Sequence, residues 1–332
     1  MNERRSIYII IDIKEDAVRA SRMLSAENTR RFEIIESFNS QNIESAVKSI
    51  KFKSSEKIII SLSHAMATTI RADGAFSRVE PKFPITESEL ENIISRGLWK
   101  LFNQKRKLAA IKMRTSDIEV KVCDADIVEV YLDGHRALNP VGFCARDIRL
   151  ICQETLVGTP VLNKLLQIIP EEQIAGFSEG PMAWPLLVAE SGLYEKFLTL
   201  TVLRDETVLY RYKDKKLECI DTFSWGIRDI HKAVSGFFGT DISDAEIFLE
   251  AYRNKKIGKG ILKGLEGAIE QELSILFKGI ESHKLDSEAG NIFINSEFNL
   301  PKIMLKKQHT LLDESWISEK FGYALKLKDS AH

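Results

Sequence analysis

The stretch KFLTLTVLRDETVLYRY, residues Lys196–Tyr212, decides the fold. Apolar and polar residues alternate on both sides of a short charged segment, Arg204–Thr207, and this pattern predicts two strands joined by a tight turn. Tight hairpin turns usually need a residue that tolerates positive φ, whereas this segment contains no Gly, Asn or Pro. Either the loop is unusual, or it stands where a glycine-rich loop has been replaced.

The composition is that of a two-domain globular chain without an excess of either charge. Its 332 residues are 44% hydrophobic and 29% charged, with a net charge of −1. At about 150 residues per domain, this length predicts two domains, each with its own core. Nucleic-acid binders are usually basic, so we expect no nucleic-acid partner. No apolar run approaches the roughly 20 residues that span a bilayer.

The N-terminus and the cysteines both favour a cytoplasmic location. The apolar run Ile7–Ile13 follows charged residues, as in a signal peptide, but it is short, contains Asp12 and lacks a small-residue cleavage site. It predicts a buried first strand instead. The four cysteines form no CxxC pair and no zinc-ligand spacing, which is typical of a reduced, cytosolic protein.

The first part of the chain alternates strands and helices. Strands are predicted at Ile7–Ile13, Phe32–Phe38 and Glu56–Ser63, and a helix is predicted at Asn42–Phe52. The β-branched residues of the third strand indicate that it is buried. This order predicts an α/β block.

A small α+β module follows. Thr86 at the N-cap and Glu89 at N3 form a capping box that starts a helix. Two strands are predicted after the helix, Ile118–Val122 and Ile127–Leu132, and a further strand covers 148–152. A helix flanked by strands indicates a separate subdomain.

The α/β order then resumes. Thr159 is predicted to cap a helix with Pro160 at its first position, and a second capping box, Ser243 with Glu246, starts another helix. The other elements are a strand at 174–177, a helix at about 181–189, the hairpin at 196–212, helices at 226–238 and 261–280, a strand within 289–298 and a last helix at 314–327.

One motif raises an enzyme hypothesis. The segment GFSEG, Gly176–Gly180, matches G-x-S-x-G between a strand and a helix, as in a hydrolase nucleophile elbow with Ser178 as the nucleophile. However, the chain has no HGGG-like oxyanion segment, and no downstream histidine lies in a recognisable setting. The alternative is a strand-to-helix turn with Ser178 or Glu179 near the cap.

Phosphate and metal motifs are weak. The GKG at Gly258–Gly260 lacks the frame of a P-loop, and the six histidines show no metal-ligand spacing, so we expect no metal site. Basic residues gather between Lys100 and Arg114. A solvated helix end explains this cluster, and a patch for an acidic partner is the alternative.

Several segments resemble the bacterial actin-like cell-division protein FtsA. The most specific is YLDGHRALNPVGFCARDIRLICQ, which is similar to the family's Y-x-x-D-G-x-x-x-x-N-P-V-G segment in its SHS2, or 1C, subdomain. GTDISDAEIF resembles G-T-x-x-S-D-A-E-x-I, and GFSEGPMAWPLLVAE resembles L-E-P-L-A-S-S-x-x-V-L. The matching residues of the signature loop are Asp133, Gly134, Asn139, Pro140, Gly142 and Arg149.

The resemblance implies an α/β fold of actin-like type. This is a duplicated RNase H-like, two-lobe fold with an inserted α+β SHS2 subdomain, and the 2B subdomain is reduced here. The implied domains are lobe 1 at 1–65 and 151–192, the SHS2 subdomain at 66–150, lobe 2 at 193–311 and a closing helix of lobe 1 at 312–328.

The resemblance also implies a nucleotide cleft, but its motifs are altered. The family holds ATP and Mg²⁺ with two phosphate hairpins and an adenosine loop, whose glycines let backbone N–H groups approach the ligand. D-I-G-T, D-I-G-G-G-T and L-T-G-G-A are replaced by Asp12–Glu15, Thr201–Glu206 and Phe293–Glu297. The residues of this degenerate cleft are Asp12, Lys14, Glu15, Thr201, Arg204, Asp205, Glu206, Asn295, Ser296 and Glu297.

These replacements predict a pseudo-ATPase with no cofactor. Side chains at Leu203 and Arg204 would obstruct the approach of backbone to phosphate, and the acids of both hairpins would repel it. In one alternative, Lys14 and Arg204 pair with those acids and replace the nucleotide as a clamp.

The function implied by the resemblance is a scaffold or adaptor in bacterial cell division. Its partners would be FtsZ-like proteins or the cytoplasmic tails of membrane proteins, with self-association left open. The competing hypothesis is a PilM-like adaptor of type IV pilus assembly that binds a membrane protein's cytoplasmic peptide. The last helix should bury Trp316 in the core, so we expect no direct membrane anchor and recruitment to the inner membrane only through a partner.

Overall fold

A computed structural model of the chain describes residues 5–26, 31–282, 291–296, 309–321 and 324–327. Glu297, at the end of the predicted adenosine loop, lies outside these residues. The chain divides into two compact units. Unit 1 comprises Met1–Leu187, Lys215–Glu218 and Ile317–His332, and unit 2 comprises Val188–Asp214 and Cys219–Trp316. The finer domain boundaries remain a prediction.

The described elements occur in the following order along the chain. The strands are β1 (Arg5–Ile13), β2 (Val18–Ala26), β3 (Arg31–Ser40), β4 (Lys57–Leu62), β5 (Ala67–Ser77), β6 (Val120–Leu132), β7 (His135–Ala137), β8 (Asp147–Gly158), β9 (Ile174–Glu179), β10 (Lys196–Val202), β11 (Thr207–Lys213), β12 (Lys216–Phe223), β13 (Ile292–Ser296), β14 (His309–Leu311) and β15 (Ala324–Leu327). The helices are α1 (Ile43–Ile50), α2 (Glu87–Lys112), α3 (Thr159–Leu166), α4 (Ala183–Glu190), α5 (Ile227–Phe238), α6 (Ala245–Arg253), α7 (Lys259–Ser282) and α8 (Glu314–Phe321).

The first sheet of unit 1 has six strands in the order β15-β3-β2-β1-β4-β9. Strand β1 is antiparallel to β2 and parallel to β4, so it lies in the middle of the sheet. Ile9, Ile11 and Ile13 of β1 are buried with Ile43 and Val47 of α1 in one core. Strand β1 is therefore buried, as predicted, and it is also a central strand of the sheet.

Strand β2 was not predicted, because its sequence is polar. It pairs with β1 on one side and β3 on the other. Its polar side chains find partners there: the Ser21 hydroxyl lies 2.9 Å from that of Ser37, and Arg22 Nε donates to Glu56 Oε1 at 2.9 Å. Satisfied polar groups let a strand without clear alternation occupy the sheet interior.

The end of the chain differs from the predicted helix at 312–328. Helix α8 ends at Phe321, and Ala324–Leu327 form β15, which pairs in parallel with β3. Trp316 is buried, as predicted, and its ring lies 6.1 Å from that of Phe293.

The inserted module has its own core. Strands β5, β8, β6 and β7 are neighbours in that order, and Ile93, Leu101 and Phe102 of α2 pack with Ile148 and Leu150 of β8. The Thr86 hydroxyl accepts from the backbone N–H of Glu89, so the predicted cap of α2 is confirmed. The prediction of two strands after α2 was wrong: β6 is one strand with two irregular pairing steps, and Ile118 lies in a preceding 3-10 turn.

Unit 2 repeats the strand order of unit 1. Its strands are arranged β14-β13-β10-β11-β12, which matches β9-β4-β1-β2-β3. The central strand β10 is antiparallel to β11 and parallel to β13, as β1 is to β2 and β4. The predicted hairpin at 196–212 is confirmed. The duplicated topology is that of the predicted actin-like fold.

Two predicted helix starts were wrong in detail. Helix α3 has Gly158 as its N-cap, and the Thr159 hydroxyl donates to the carbonyl of Glu119 instead. Helix α6 follows a 3-10 turn and has Asp244, not Ser243, at its N-cap. The carboxylate of Glu246 binds His231 and Arg253, because longer-range partners compete with a local cap.

Candidate functional site

The first predicted hairpin loop lies at the end of β1. Asp12 Oδ1 accepts from the hydroxyl of Ser61 at 2.7 Å, and Lys14 Nζ lies 3.8 Å from Asp12 Oδ2. The backbone N–H of Lys14 donates to the carbonyl of Ala17, which closes the turn to β2, and Glu15 is exposed. Asp12 is thus held by Ser61 and faces Lys14, which stands at the glycine position of the D-I-G-T motif.

The second predicted hairpin loop avoids positive φ altogether. Leu203–Glu206 joins Val202 to Thr207, which are paired residues, and the N–H of Leu203 donates to the carbonyl of Glu206 at 2.8 Å. None of the four loop residues has positive φ. Four-residue hairpin loops of this kind need no glycine, which explains the charged turn of the sequence.

The carbonyls of this loop cap helix α5. The N–H of Ile227 donates to the carbonyl of Leu203 at 3.0 Å, and the N–H of Arg228 donates to that of Arg204 at 2.9 Å. The N–H of Gly226 donates to Asp229 Oδ2 at 3.0 Å. Free N–H groups at a helix N-terminus are what bind phosphate, and here they are already used.

Charge in the loop is also balanced locally. Asp205 Oδ1 lies 2.8 Å from Arg228 Nη1. Gly226 allows the close approach of loop and helix, since a Cβ there would lie 2.5 Å from the carbonyl oxygen of Arg204. The residues of this loop therefore do not fit the β- and γ-phosphates of a nucleotide, because carbonyl oxygens and carboxylates stand where N–H donors are required.

The residues at the predicted adenosine loop lie next to the same hairpin. Thr201 and Asn295 are paired across β10 and β13, and the buried Thr201 hydroxyl donates to Asn295 Oδ1 at 2.7 Å. The Ser296 hydroxyl donates to the carbonyl of Val202 at 2.8 Å. The structure thus brings Thr201, Asn295 and Ser296 to one end of the unit 2 sheet, as interior strand residues and not as a glycine loop.

Ser178 does not form a nucleophile elbow. It lies inside β9, paired with Ser61 of β4, and its hydroxyl donates to the carbonyl of Glu179 at 3.3 Å. An elbow places its serine on a sharp, exposed turn after the strand. The hydrolase hypothesis therefore lacks its geometric basis.

A buried cluster in unit 1 was missed in the sequence. Glu179 is fully buried, and its carboxylate lies 2.6 Å from His64 Nδ1 and 2.8 Å from Lys112 Nζ. It also accepts from the N–H of Thr69 at 2.8 Å. Burial would raise the pKa of this carboxyl, but Lys112 and His64 outweigh it and lower the pKa to about 2.

This cluster joins the module to the first sheet. Lys112 ends α2, Glu179 ends β9, His64 lies between β4 and β5, and Thr69 is in β5. The partners are 67 to 115 residues apart in sequence, so no local motif marks them. The cluster therefore holds the base of the module against the first sheet.

The residues of the signature loop form turns and hydrogen bonds within the module. Asp133 and Gly134 have φ of 47° and 86° and form the two-residue turn between β6 and β7. The Asp133 carboxylate accepts from the N–H groups of Arg146 and Asp147, and these bonds lower its pKa. The resemblance at this position therefore reflects a turn requirement.

The rest of the signature loop is also explained by backbone geometry. Asn139 Oδ1 accepts from the N–H of Val141, and Gly142 has φ of 88° and donates to the carbonyl of Ile85 at 2.9 Å. Pro140 is buried, and Arg149 Nε donates to Asp73 Oδ2 at 3.0 Å.

Two general features bear on function. In the part of the chain that the structure describes, no group of three or more His, Cys, Asp or Glu side chains could hold a metal ion. The described helices include none that is long and apolar enough to cross a membrane.

Two sheets of one repeated strand order, with a module inserted after β4, define a protein of actin-like fold. Among solved structures, the chain is similar to the PilM–PilN type IV pilus biogenesis complex, with 12% identity, coverage of 98% of this chain and 89% of that chain, and a TM-score of 0.51. This likeness shows the fold. No protein-family model and no curated protein matches the sequence.

Two other similar structures have lower TM-scores. One is a Bacteroides thetaiotaomicron protein with an actin-like ATPase fold and unknown function, with 9% identity, coverage of 98% and 92%, and a TM-score of 0.40. Another is the cytoplasmic domain of EpsL, an inner-membrane component of the type II secretion system of Vibrio cholerae, with 10% identity, coverage of 99% and 91%, and a TM-score of 0.38.

Proposed function

We propose that this chain is an actin-fold adaptor that works without nucleotide and binds a peptide segment of a partner protein. One observation carries the proposal: the carbonyls of Leu203 and Arg204 occupy the N–H groups of Ile227 and Arg228. A phosphate would have to displace these bonds and approach the carboxylate of Asp205. Local hydrogen bonding thus already uses the N–H groups that a phosphate would need at the start of α5.

The likeness to the PilM–PilN complex supports a binding role, because that structure is itself a complex in type IV pilus biogenesis. We infer a PilM-like adaptor that is located in the cytoplasm and recruited to the inner membrane by the cytoplasmic peptide of a membrane protein. The division scaffold, which the sequence resemblance favours, becomes the second candidate; its support is that the segments NPVGF and SDAE resemble FtsA.

A comparative pull-down tests the proposal. Full-length protein is incubated with immobilised cytoplasmic peptides of pilus inner-membrane proteins and with tail peptides of FtsZ-like proteins, each with and without Mg-ATP. We expect one pilus-type peptide to bind equally well in both conditions. Retention of the FtsZ-type tail alone would favour the division scaffold, and ATP-dependent binding would contradict a nucleotide-free adaptor.

A further inference from the structure

A groove runs along the outer end of strand β5, within the inserted module. It encloses about 1360 Å³ and is lined by the end of β5, the segment 78–84 and the first half of α2. We call it the β5 groove. Its lining belongs to unit 1 alone.

One wall of the groove is an open sheet edge. The N–H of Arg78 donates to the carbonyl of Arg146 at 2.8 Å, so in this antiparallel ladder Phe76 also directs its backbone groups to β8. The alternate residues, Ala75 and Ser77, direct their backbone N–H and C=O groups to the other edge of β5, away from β8. On that edge Leu217, which belongs to unit 1, pairs with Arg71, and no described residue pairs with Ala75 or Ser77 there.

Apolar side chains line the groove. Phe76 forms its floor, and Phe83 and Trp99 stand at its rim, each 63% exposed. Val79 is 96% exposed on the same segment. An exposed aromatic rim beside unpaired strand edge groups is the arrangement by which extended peptides are bound as an added strand.

The charged side chains that line the groove favour an acidic partner. Arg78 is neutralised by Glu89, with two contacts of 2.7 Å. Arg96 and Lys100 lie over the Phe76 ring at 5.7 Å and 6.0 Å and have no carboxylate partner among the described residues. Glu80 is the single acid in the lining besides Glu89. The unbalanced charge is positive.

We propose that the β5 groove binds an acidic, extended peptide of a partner protein, which adds to the sheet as a strand along Ala75 and Ser77. The inference rests on the proposed adaptor function and specifies where the peptide binds and what its chemistry is. A second copy of this chain is a poorer occupant, because edge-to-edge pairing of two β5 strands would bring Arg96 and Lys100 of each copy towards one another.

The test begins with panning a randomised decapeptide library against the full-length protein. Selected peptides are then measured by fluorescence polarisation against the wild type, the double variant Arg96→Glu/Lys100→Glu and Ala75→Pro. Ala75→Pro removes an outward N–H without touching the β8 ladder. Lys107→Glu, an exposed charge reversal on the same helix outside the groove, is the matched control.

We expect acidic peptides with alternating apolar residues. The charge variant and the proline variant should each weaken binding at least tenfold, Lys107→Glu should weaken it less than twofold, and hydrogen exchange at residues 73–79 should slow in the complex. If Ala75→Pro is destabilised, two versions of the selected peptide replace it, N-methylated on odd-numbered or on even-numbered amides. One version should bind at least tenfold more weakly, because only one set of amides faces the edge of β5.

The other outcomes separate the two proposals. Peptides that bind tightly but ignore all groove variants would overturn the groove and leave the adaptor function standing. Failure to select any peptide would overturn both. A dimer in sedimentation velocity that Arg96→Glu/Lys100→Glu strengthens would show that the edge pairs with a second copy and would overturn the heterologous partner.

Discussion

The carboxylate of Glu179 lies 2.8 Å from the ammonium of Lys112, at a fully buried position. Lys112 is the last residue of α2, and Glu179 is the last residue of β9. This pair therefore ties the inserted module to the first sheet of unit 1. An uncompensated charge at such a position is costly, because water cannot replace the missing partner.

Lys112→Met should lower the free energy of unfolding by about 2 kcal/mol, less than the usual cost of breaking a buried pair, because His64 and the N–H of Thr69 still bind the carboxylate of Glu179. Urea denaturation measures the change, and Lys107→Met, on an exposed position of the same helix, should change it by less than about 0.5 kcal/mol. Equal, small effects of both variants would show that the pair does not hold the module.

The same pair predicts an acid-dependent loss of stability. The pKa of Glu179 is lowered from 4.5 to about 2, so its stabilisation is present above pH 4.5 and is lost as the pH falls towards 2. Lys112→Met should flatten this part of the curve. An unchanged acid limb in the variant would contradict the assignment.

Glu154 should have the opposite effect on the pH dependence of stability from that of Glu179. It is buried on β8, both carboxylate oxygens lack a hydrogen-bond partner in the described part of the chain, and burial raises its pKa to about 7. The charged form is disfavoured in the fold, so stability should fall by about 3 kcal/mol as the pH rises from 4.5 to above 7.

Chemical denaturation across that pH range checks the prediction. Glu154→Gln should remove most of the fall, because it cannot ionise. Glu171→Gln, at an exposed position, should leave the curve unchanged. A wild-type stability that is flat between pH 5 and 8 would mean that Glu154 is solvated or paired.

Gly226 should be essential for the loop at 203–206. A Cβ at this position would lie 2.5 Å from the carbonyl oxygen of Arg204. Gly226→Ala should therefore cost about 2 kcal/mol or more, by forcing the loop away from α5. Gly236→Ala, on the same helix with open space around it, should be neutral or stabilise by up to about 1 kcal/mol. Thermal unfolding of both variants compares them, and equal melting temperatures would contradict the contact.

The last helix should not act as a membrane anchor. Trp316 is 5% exposed and packs near Phe293, so its apolar surface is already used inside the protein. Exposed basic residues between Lys100 and Arg114 give at most about 1 kcal/mol each at an anionic surface, and salt screens them. We expect no co-sedimentation with protein-free anionic liposomes at physiological salt. Binding that persists in salt and is lost on truncation after Leu312 would show that α8 inserts.

The sequence predicts the elements whose pattern is local. The hairpin at 196–212 and the cap at Thr86 follow from alternation and capping chemistry, and the structure contains both. Strand β2 escapes prediction because polar residues such as Arg22 are satisfied by partners distant in sequence. Strand β15 escapes it because it pairs with β3, which is distant in the sequence.

The candidate site likewise combines features that can be seen in the sequence with features that only the fold reveals. The missing glycines at 203–206 can be seen in the sequence, whereas the use of the Arg204 carbonyl to cap α5 requires the fold. The Glu179 cluster joins residues up to 115 positions apart, and local spacing carries no information about such contacts.

The central claim is that this chain binds no nucleotide, because the carbonyls of loop 203–206 already occupy the N–H groups at the start of α5. Isothermal titration of the purified full-length protein with Mg-ATP tests it most directly, with an active actin-fold ATPase titrated in parallel as the control. We predict no heat beyond dilution for this chain. A dissociation constant in the low micromolar range, about −8 kcal/mol of binding free energy, would contradict the claim.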